Sequence, residues 1–353
     1  MTNAKHDVTP ESIQAALDDL HIPFRALKAQ RGPALTRFIL EPVGTLDIAA
    51  LDNAQDALSQ ALNVRAVSIV APLPGTSLIG LDVPKAKPEI VSFEDIFTSP
   101  AMQEAASPLA FPLGKDVTGS PVISDLDRMH HLLITGVTGS GKSVCIQSML
   151  LSLLRRNTAK DLQLVLFDAH NEYPQALTAA PHLQMPVITD ARQAVDALTA
   201  AAEEATKRIS LYHQAHVTPS IDKYNQKVPA DQQLPRIVIV IDGLEPLMRA
   251  FPHEVKIAIS QIGRFGSAAG VHLVATVQLL HPAMHASALH ASIPSRISFR
   301  LPTAADSRAC LEHSGAEKLL FPGDMLYKPQ NEFLPVRVQG CCVRPEHFAG
   351  LSE

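Results

Sequence analysis

The octapeptide GVTGSGKS (Gly136–Ser143) lies between an apolar run, HHLLITG, and a helix-periodic stretch, SVCIQSMLLSLLRR. That placement constrains the fold of this 353-residue chain more than any other feature. The pattern G-x-x-x-x-G-K-[ST] needs a strand to deliver it and a helix to receive it. Its backbone N–H groups must wrap phosphate oxygens at a helix amino terminus. Gly136, Gly139 and Gly141 make room for the wrap, and Val137, Thr138 and Ser140 complete the loop. Lys142 is spaced to reach the β- and γ-phosphates, and Ser143 to ligate magnesium. ATP and Mg2+ are therefore the expected ligands, on an α/β fold.

From about residue 112 the chain alternates strand and helix. LQLVLFD, RIVIVID and VHLVATV read as strands, and SRISFRL as a further one. ARQAVDALTAAAEEATKRISLYHQ is a long helix, with apolar spacing at Val195, Leu198, Ala202, Ala205, Ile209 and Tyr212. Strands that are apolar throughout suit a mainly parallel sheet covered on both faces. RIVIVID ends in Asp242, the expected second carboxylate on the magnesium side. The next residue is Gly243 and the nearest acid is Glu245. Motors of this build carry a glutamate directly after that aspartate to polarise the attacking water. The sequence thus predicts a nucleotide binder and leaves hydrolysis open.

Residues 1–83 read as a small α/β domain. TPESIQAALDDLHI opens on a capping signal at Thr9 or Ser12, with helical spacing through Ile13, Leu17 and Leu20. TRFILEPV, AVSIVAPL and LIGLDVP are strand-like, and DIAALDNAQDALSQALN is a helix region. Residues 84–111, rich in Pro, Ser and charge, read as a linker with one short helix. Residues 112–353 form the nucleotide-binding domain.

The formal net charge is −5, so no basic nucleic-acid footprint shows in bulk, and any DNA contact must be local. Four cysteines, Cys145, Cys310, Cys341 and Cys342, have neither zinc nor disulfide spacing and fit free thiols in a reducing cytosol. The amino terminus has no apolar signal region, and no run reaches a membrane span of about 18 residues. The expectation is a cytoplasmic protein with no direct membrane insertion. Action at a membrane would need a partner protein.

Several stretches resemble the FtsK/SpoIIIE family of hexameric double-stranded DNA translocases. LGKDVTGSPVISDLDRMHHLLITGVTGSGKSVCIQSMLLSLL is similar to that family's approach to its phosphate loop. AAGVHLVATVQ, SIPSRISFRL, DSRACLEHSGAEKLLFPGDMLY and LPVRVQGCCV resemble its carboxyl-terminal half, in order. The resemblance implies a RecA-like P-loop motor preceded by a small domain, a homo-oligomeric ring and duplex DNA as partner. The family's membrane segments and its winged-helix reader of DNA sequence have no counterpart in these stretches. The acidic pair is Asp242-Gly243. FDAHNEY stands where a D-P-K motif is usual and resembles D-P-H-G-E-Y of HerA helicases. VATVQLLHP replaces LATQRPS, which keeps Gln278, displaces the threonine to Thr276 and puts Leu279 for the arginine. Glu172 and Glu245 are the candidate replacements for the missing glutamate. Gln278 can orient water without taking its proton.

By the same resemblance, duplex contacts fall on SIDKYNQKV, through Lys223 and Lys227, and on LLHPAMHASALHASIPSR, through His281, His285 and His290. Lysine contact with phosphate supplies sequence-independent affinity. Histidines are mostly neutral at pH 7, so their loop should grip weakly and gain charge toward pH 6. A zinc site and plain exposed loop residues are the other readings of these histidines. Arg296 and Arg308 match the inter-subunit edge, either as an arginine finger or as salt-bridge residues. The expected function is an ATP-driven, sequence-nonspecific DNA translocase acting on plasmid, phage or integrated DNA, or recruited by a partner. The alternatives are a nucleotide-dependent DNA-binding ring with little hydrolysis and a HerA-like DNA-processing helicase with a nuclease partner.

Overall fold

The computed structural model describes residues 8–44, 51, 53–73, 75–169, 171–280, 286–349 and 351. His281 and His285 therefore lie outside the described residues. The amino-terminal unit comprises α1 (Pro10–Asp19), β1 (Phe24–Arg31), β2 (Leu35–Pro42), α2 (Gln55–Ala61), β3 (Ser68–Val70) and β4 (Ile79–Pro84). Thr9 is the amino-terminal cap of α1, and Ser12 returns the bond to the Thr9 backbone, so both expected capping residues act together. The strands form an antiparallel sheet in the order β1-β2-β4-β3. Ile13 and Leu17 of α1 pack on Phe38, Leu40 and Leu81 of this sheet.

The second unit comprises β5 (Ala110–Asp116), β6 (Pro121–Asp125), β7 (Leu132–Thr135), α3 (Lys142–Arg156), β8 (Leu162–Asp168), α4 (Ala191–Gln214), α5 (Ile221–Lys227), β9 (Arg236–Asp242), α6 (Leu244–Ala250), α7 (Pro252–Ala269), β10 (Val271–Val277), α8 (Ala286–Ser292), β11 (Ser295–Phe299), α9 (Ala304–Leu311), β12 (Asp324–Lys328) and β13 (Val336–Gly340). Its nine strands run in the order β6-β5-β13-β12-β11-β7-β10-β9-β8. The five from β11 to β8 are parallel, and the rest extend the sheet antiparallel. Along β9, Ile237, Ile239 and Ile241 enter the core under α4, α6 and α7. Val238 and Val240 enter the opposite core under α3. A strand buried on both faces has no polar side to show, which is why the run is apolar throughout.

Residues 84–111 contain two short helical turns, at 93–97 and 100–103, where the sequence suggested one. Val91, Phe93 and Ile96 are buried in the core beneath α3, and β5 already begins at Ala110. The two units are also joined by buried charge. Arg337 on β13 donates to Asp82 on β4 at 2.7 Å and grips Asp324 at 2.9 and 2.6 Å. Arg37 on β2 holds Asp82 from its other side at 2.6 and 2.8 Å. Burial opposes the Arg337 charge, but the Asp324 and Asp82 carboxylates overcome it and hold its pKa above the ordinary value. Breaking such a pair from one side costs about 3–5 kcal/mol, because a buried charge is left unmatched.

Candidate nucleotide site

The strand order sets the site. β7 lies between β10 and β11, yet the chain leaving it crosses to β8 at the far edge of the sheet. Ligands of open α/β sheets bind at such a switch point, beyond the carboxyl ends of the strands. The loop Gly136–Ser143 leaves β7 there and enters α3 at Lys142. Gly136 and Gly141 have φ of 145° and 121°. A β-carbon on Gly136 would meet Phe299 and Ser140 at 2.7 Å, so this turn accepts no side chain. The Lys142 ammonium sits over the loop and donates to the Gly136 and Val137 carbonyls at 2.7 and 3.2 Å. Ser140 Oγ is buried without a hydrogen-bond partner among the described residues. The open face of the loop, the tethered ammonium and the unmatched hydroxyl fit a phosphate chain.

Asp168 and Asp242 end adjacent strands in register. Asp242 accepts from Tyr173 Oη at 2.9 Å and from Thr276 Oγ1 at 2.7 Å, so both its oxygens are held. Thr276 in turn accepts from the Gly243 N–H at 2.8 Å. The displaced threonine therefore braces Asp242. Asp168 Oδ2 accepts the Glu172 and Tyr173 N–H groups at 2.7 and 3.2 Å, which folds residues 171–173 back over the site. Burial pushes the Tyr173 hydroxyl pKa well up, and the Asp242, Asp168 and Glu172 charges push it further. Tyr173 is thus a fixed donor. Burial also lowers the Lys142 pKa, with Asp242, Glu245 and Glu172 opposing in that order. All four groups share one electrostatic site.

Glu245 accepts the Gln278 N–H, so the turn through Pro246 does return its carboxylate to the end of β10. Glu172 is exposed, and its carboxylate holds no hydrogen bond among the described residues. Gly243 has φ of 98° and ψ of 80°, and no atom stands within 4 Å of the position a β-carbon would take. A glutamate there has space but must leave the left-handed backbone region that glycine occupies freely.

The other expected residues lie apart from this centre. Arg296 is buried on β11, and its guanidinium stands 3.1 Å from Glu312, which also pairs with Lys328 at 3.2 Å. It faces the interior of its own subunit in place of the open edge that a finger needs. Arg308 is exposed on α9. His290 lies within the Arg296–Glu312 cluster, 3.8 Å from Glu312, and burial beside Arg296 lowers its pKa to about 4. It therefore stays neutral at pH 6, against the charge gain expected of that loop. Lys223 and Lys227 are exposed on α5. That helix packs Ile221 on Gly270 and pairs Asp222 with Arg236, the first residue of β9, at 2.7 Å. The two lysines thus flank the amino ends of the strands, roughly 20 Å of strand away from the phosphate loop. The sequence reading missed Tyr173, Asp168 and the bracing role of Thr276. The tyrosine in FDAHNEY was visible, but its pairing with Asp242 spans 69 residues.

Among the described residues no helix is long and apolar enough to cross a membrane, and no group of three or more His, Cys, Asp or Glu side chains is placed to hold a metal ion. Residues 93–282 match the model of the FtsK/SpoIIIE family, and residues 1–85 match that of the FtsK alpha domain. The DNA translocase FtsK of Clostridium acetobutylicum is 38% identical over 339 residues, 95% of this chain and 44% of its own length. The DNA translocase SftA of Bacillus subtilis is 35% identical over 331 residues, 93% of this chain and 35% of its own. The chain thus spans less than half the length of either relative. The solved structure of the pCW3 conjugation coupling protein TcpA, a monomer with ATPγS, shares the fold with a TM-score of 0.67 at 21% identity over 98% of this chain and 99% of that one. The cytoplasmic domain of the Thermomonospora curvata type VII secretion ATPase EccC aligns over 67% of this chain and 29% of its own, with a TM-score of 0.58 and 26% identity. A family match across more than half of the chain, with relatives more than 30% identical along most of its length, means that the chain belongs to the FtsK/SpoIIIE family.

Proposed function

We propose that this chain is the motor of an ATP-driven translocase that moves along duplex DNA, without sequence preference, as a homo-oligomeric ring. The observation that carries the reading is the phosphate loop with Lys142 over it, at the strand ends where Tyr173 and Thr276 brace Asp242. The names of its relatives, DNA translocases, support the substrate. Lys142 would hold the β- and γ-phosphates once they displace the two loop carbonyls. Ser143 and Asp242 would hold Mg2+, which when bound neutralises charge on the phosphates. Tyr173 and Thr276 fix Asp242 in one orientation.

The proton of the attacking water goes to Glu172. No hydrogen bond holds its carboxylate among the described residues, whereas Oε1 of Glu245 accepts the Gln278 N–H. Glu245 and Gln278 then orient the water. Arg308, exposed on α9, is the residue free to reach a neighbour's nucleotide. Adenine is the favoured base. A mainly apolar cavity of about 400 Å3 opens beside Val144 in the first turn of α3. Gln339 lines it and carries a buried Oε1 with no partner among the described residues, an acceptor for an exocyclic amine.

A second reading, a nucleotide-gated DNA-binding ring with little hydrolysis, is favoured by Gly243, which leaves the usual base position bare. The direct test is binding of a fluorescent ATP analogue. Wild type should bind, and Lys142→Ala should lose affinity by 100-fold or more, about the worth of a charge-assisted phosphate contact at roughly 3 kcal/mol. Equal binding by the mutant contradicts the site.

A further inference from the structure

The Asp82–Arg337–Asp324 bridge does not end at the domain boundary. Asp324 Oδ2 also accepts the Leu320 N–H at 2.9 Å, which closes a turn over residues 320–323. Gly323, the last residue of that turn, donates to the Ser140 carbonyl of the phosphate loop at 2.8 Å. It is pinned from behind by the Gly340 N–H at 2.7 Å. The fit is tight, because a β-carbon on Gly141 would stand 3.0 Å from the Gly323 nitrogen, and one on Gly323 would stand 2.7 Å from the Gln339 amide. Three charged groups, two aspartates and the arginine between them, therefore connect β4 of the small domain to the backbone of the phosphate loop through one turn.

We propose that Asp82 and Arg337 are positioning residues for nucleotide binding. Through Asp324 and the 320–323 turn, the docked small domain holds Ser140 where the loop can wrap a phosphate. The inference rests on the phosphate-loop reading above and adds a partner to it, the small domain itself. The geometry favours this over a purely structural bridge. A bridge that served stability alone would have no reason to share the Asp324 carboxylate with the turn that touches the loop. Coupling of this kind is reciprocal, so nucleotide must tighten the docking as much as docking tightens nucleotide.

The test uses the full chain and a fluorescent ATP analogue. Asp82→Asn keeps the shape of the side chain and removes the charge that faces Arg337 and Arg37. The Kd should rise about tenfold, within the usual range for coupled sites. Arg25→Ala, which breaks an exposed ion pair with Glu41 in the same sheet, should leave it unchanged. In wild type, saturating analogue should slow amide exchange in β2 and β4, and that slowing should vanish in Asp82→Asn. A folded Asp82→Asn with wild-type Kd overturns the proposal even if its unfolding midpoint drops, since a stabilising bridge alone predicts that pattern. Wild-type exchange in β4 that ignores the analogue overturns it too, and needs no mutant to fold. Failure of wild type to bind the analogue at all would strike the phosphate-loop reading instead, and the proposal would fall with it.

Discussion

Asp242 is held at both oxygens by donors that come from two different neighbours, Tyr173 beyond β8 and Thr276 on β10. That bracing leaves its carboxylate no freedom to act as a base, so base catalysis must come from a residue with an open proton path. Glu172→Gln should preserve binding of the ATP analogue and cut turnover about 100-fold, the lower scale of acid–base catalysis. Glu245→Gln removes the charge but keeps an oxygen that can accept the Gln278 N–H, and should cost less, since water orientation is one step removed from the proton. The check is a comparison of kcat for the two mutants, and the reverse order assigns the base to Glu245. At this scale the phosphate loop was fully legible, because eight contiguous residues carry both its geometry and its chemistry. The support around Asp242 was not. It is assembled from residues 34 and 69 positions away, and no local pattern encodes such distances.

Helix α5 presents Lys223 and Lys227 at the amino ends of the strands, on the edge away from the nucleotide. If that edge meets DNA, Lys223→Ala with Lys227→Ala should weaken duplex binding equally across unrelated sequences. The log–log salt slope should fall by roughly one unit per lost phosphate contact. An unchanged slope removes α5 from the interface. Helix α8 behaves differently from its sequence expectation. His290 is enclosed by Arg296, Lys328 and Glu312, and its pKa of about 4 lies below the unfolded value near 6.5. Between those pH values the unfolded chain binds a proton that the native chain refuses. The contribution is therefore intact above pH 6.5 and is lost as pH falls toward 4. His290→Gln should flatten the acid branch of stability, read as urea midpoints from pH 7.5 to 4.5, by up to about 1.4 kcal/mol per pH unit. Buried His131, with its pKa lowered to about 3 chiefly by burial, keeps part of that slope. A midpoint curve identical to wild type contradicts the enclosure. Elements differ in legibility for a physical reason. Strands β8, β9 and β10 announce themselves because both faces are buried. Strand β1, FRALKAQR, was passed over because it is an edge strand whose residues are mostly exposed or half-buried, leaving little apolar alternation to read.

Across the whole molecule, the two units meet through buried charges, and the stretch between them is packed into the core beneath α3. The composition of residues 84–111 suggests a linker because prolines, serines and charges recur through it and break any apolar periodicity. Its buried apolar residues, Val91, Phe93, Ile96, Met102, Leu109 and Phe111, determine its placement. The same logic explains why a chain of net charge −5 can still belong to a family of DNA translocases, since its exposed lysines need act only where they are clustered. A site that drives a DNA translocase must turn over ATP despite Gly243. The measurement is steady-state phosphate release by the purified full chain, with and without long duplex DNA of mixed sequence. Turnover should rise several-fold with duplex, disappear in Lys142→Ala and fall about 100-fold in Glu172→Gln. Phosphate release no faster than Lys142→Ala, with or without duplex, contradicts the translocase reading and leaves the nucleotide-gated ring as the function.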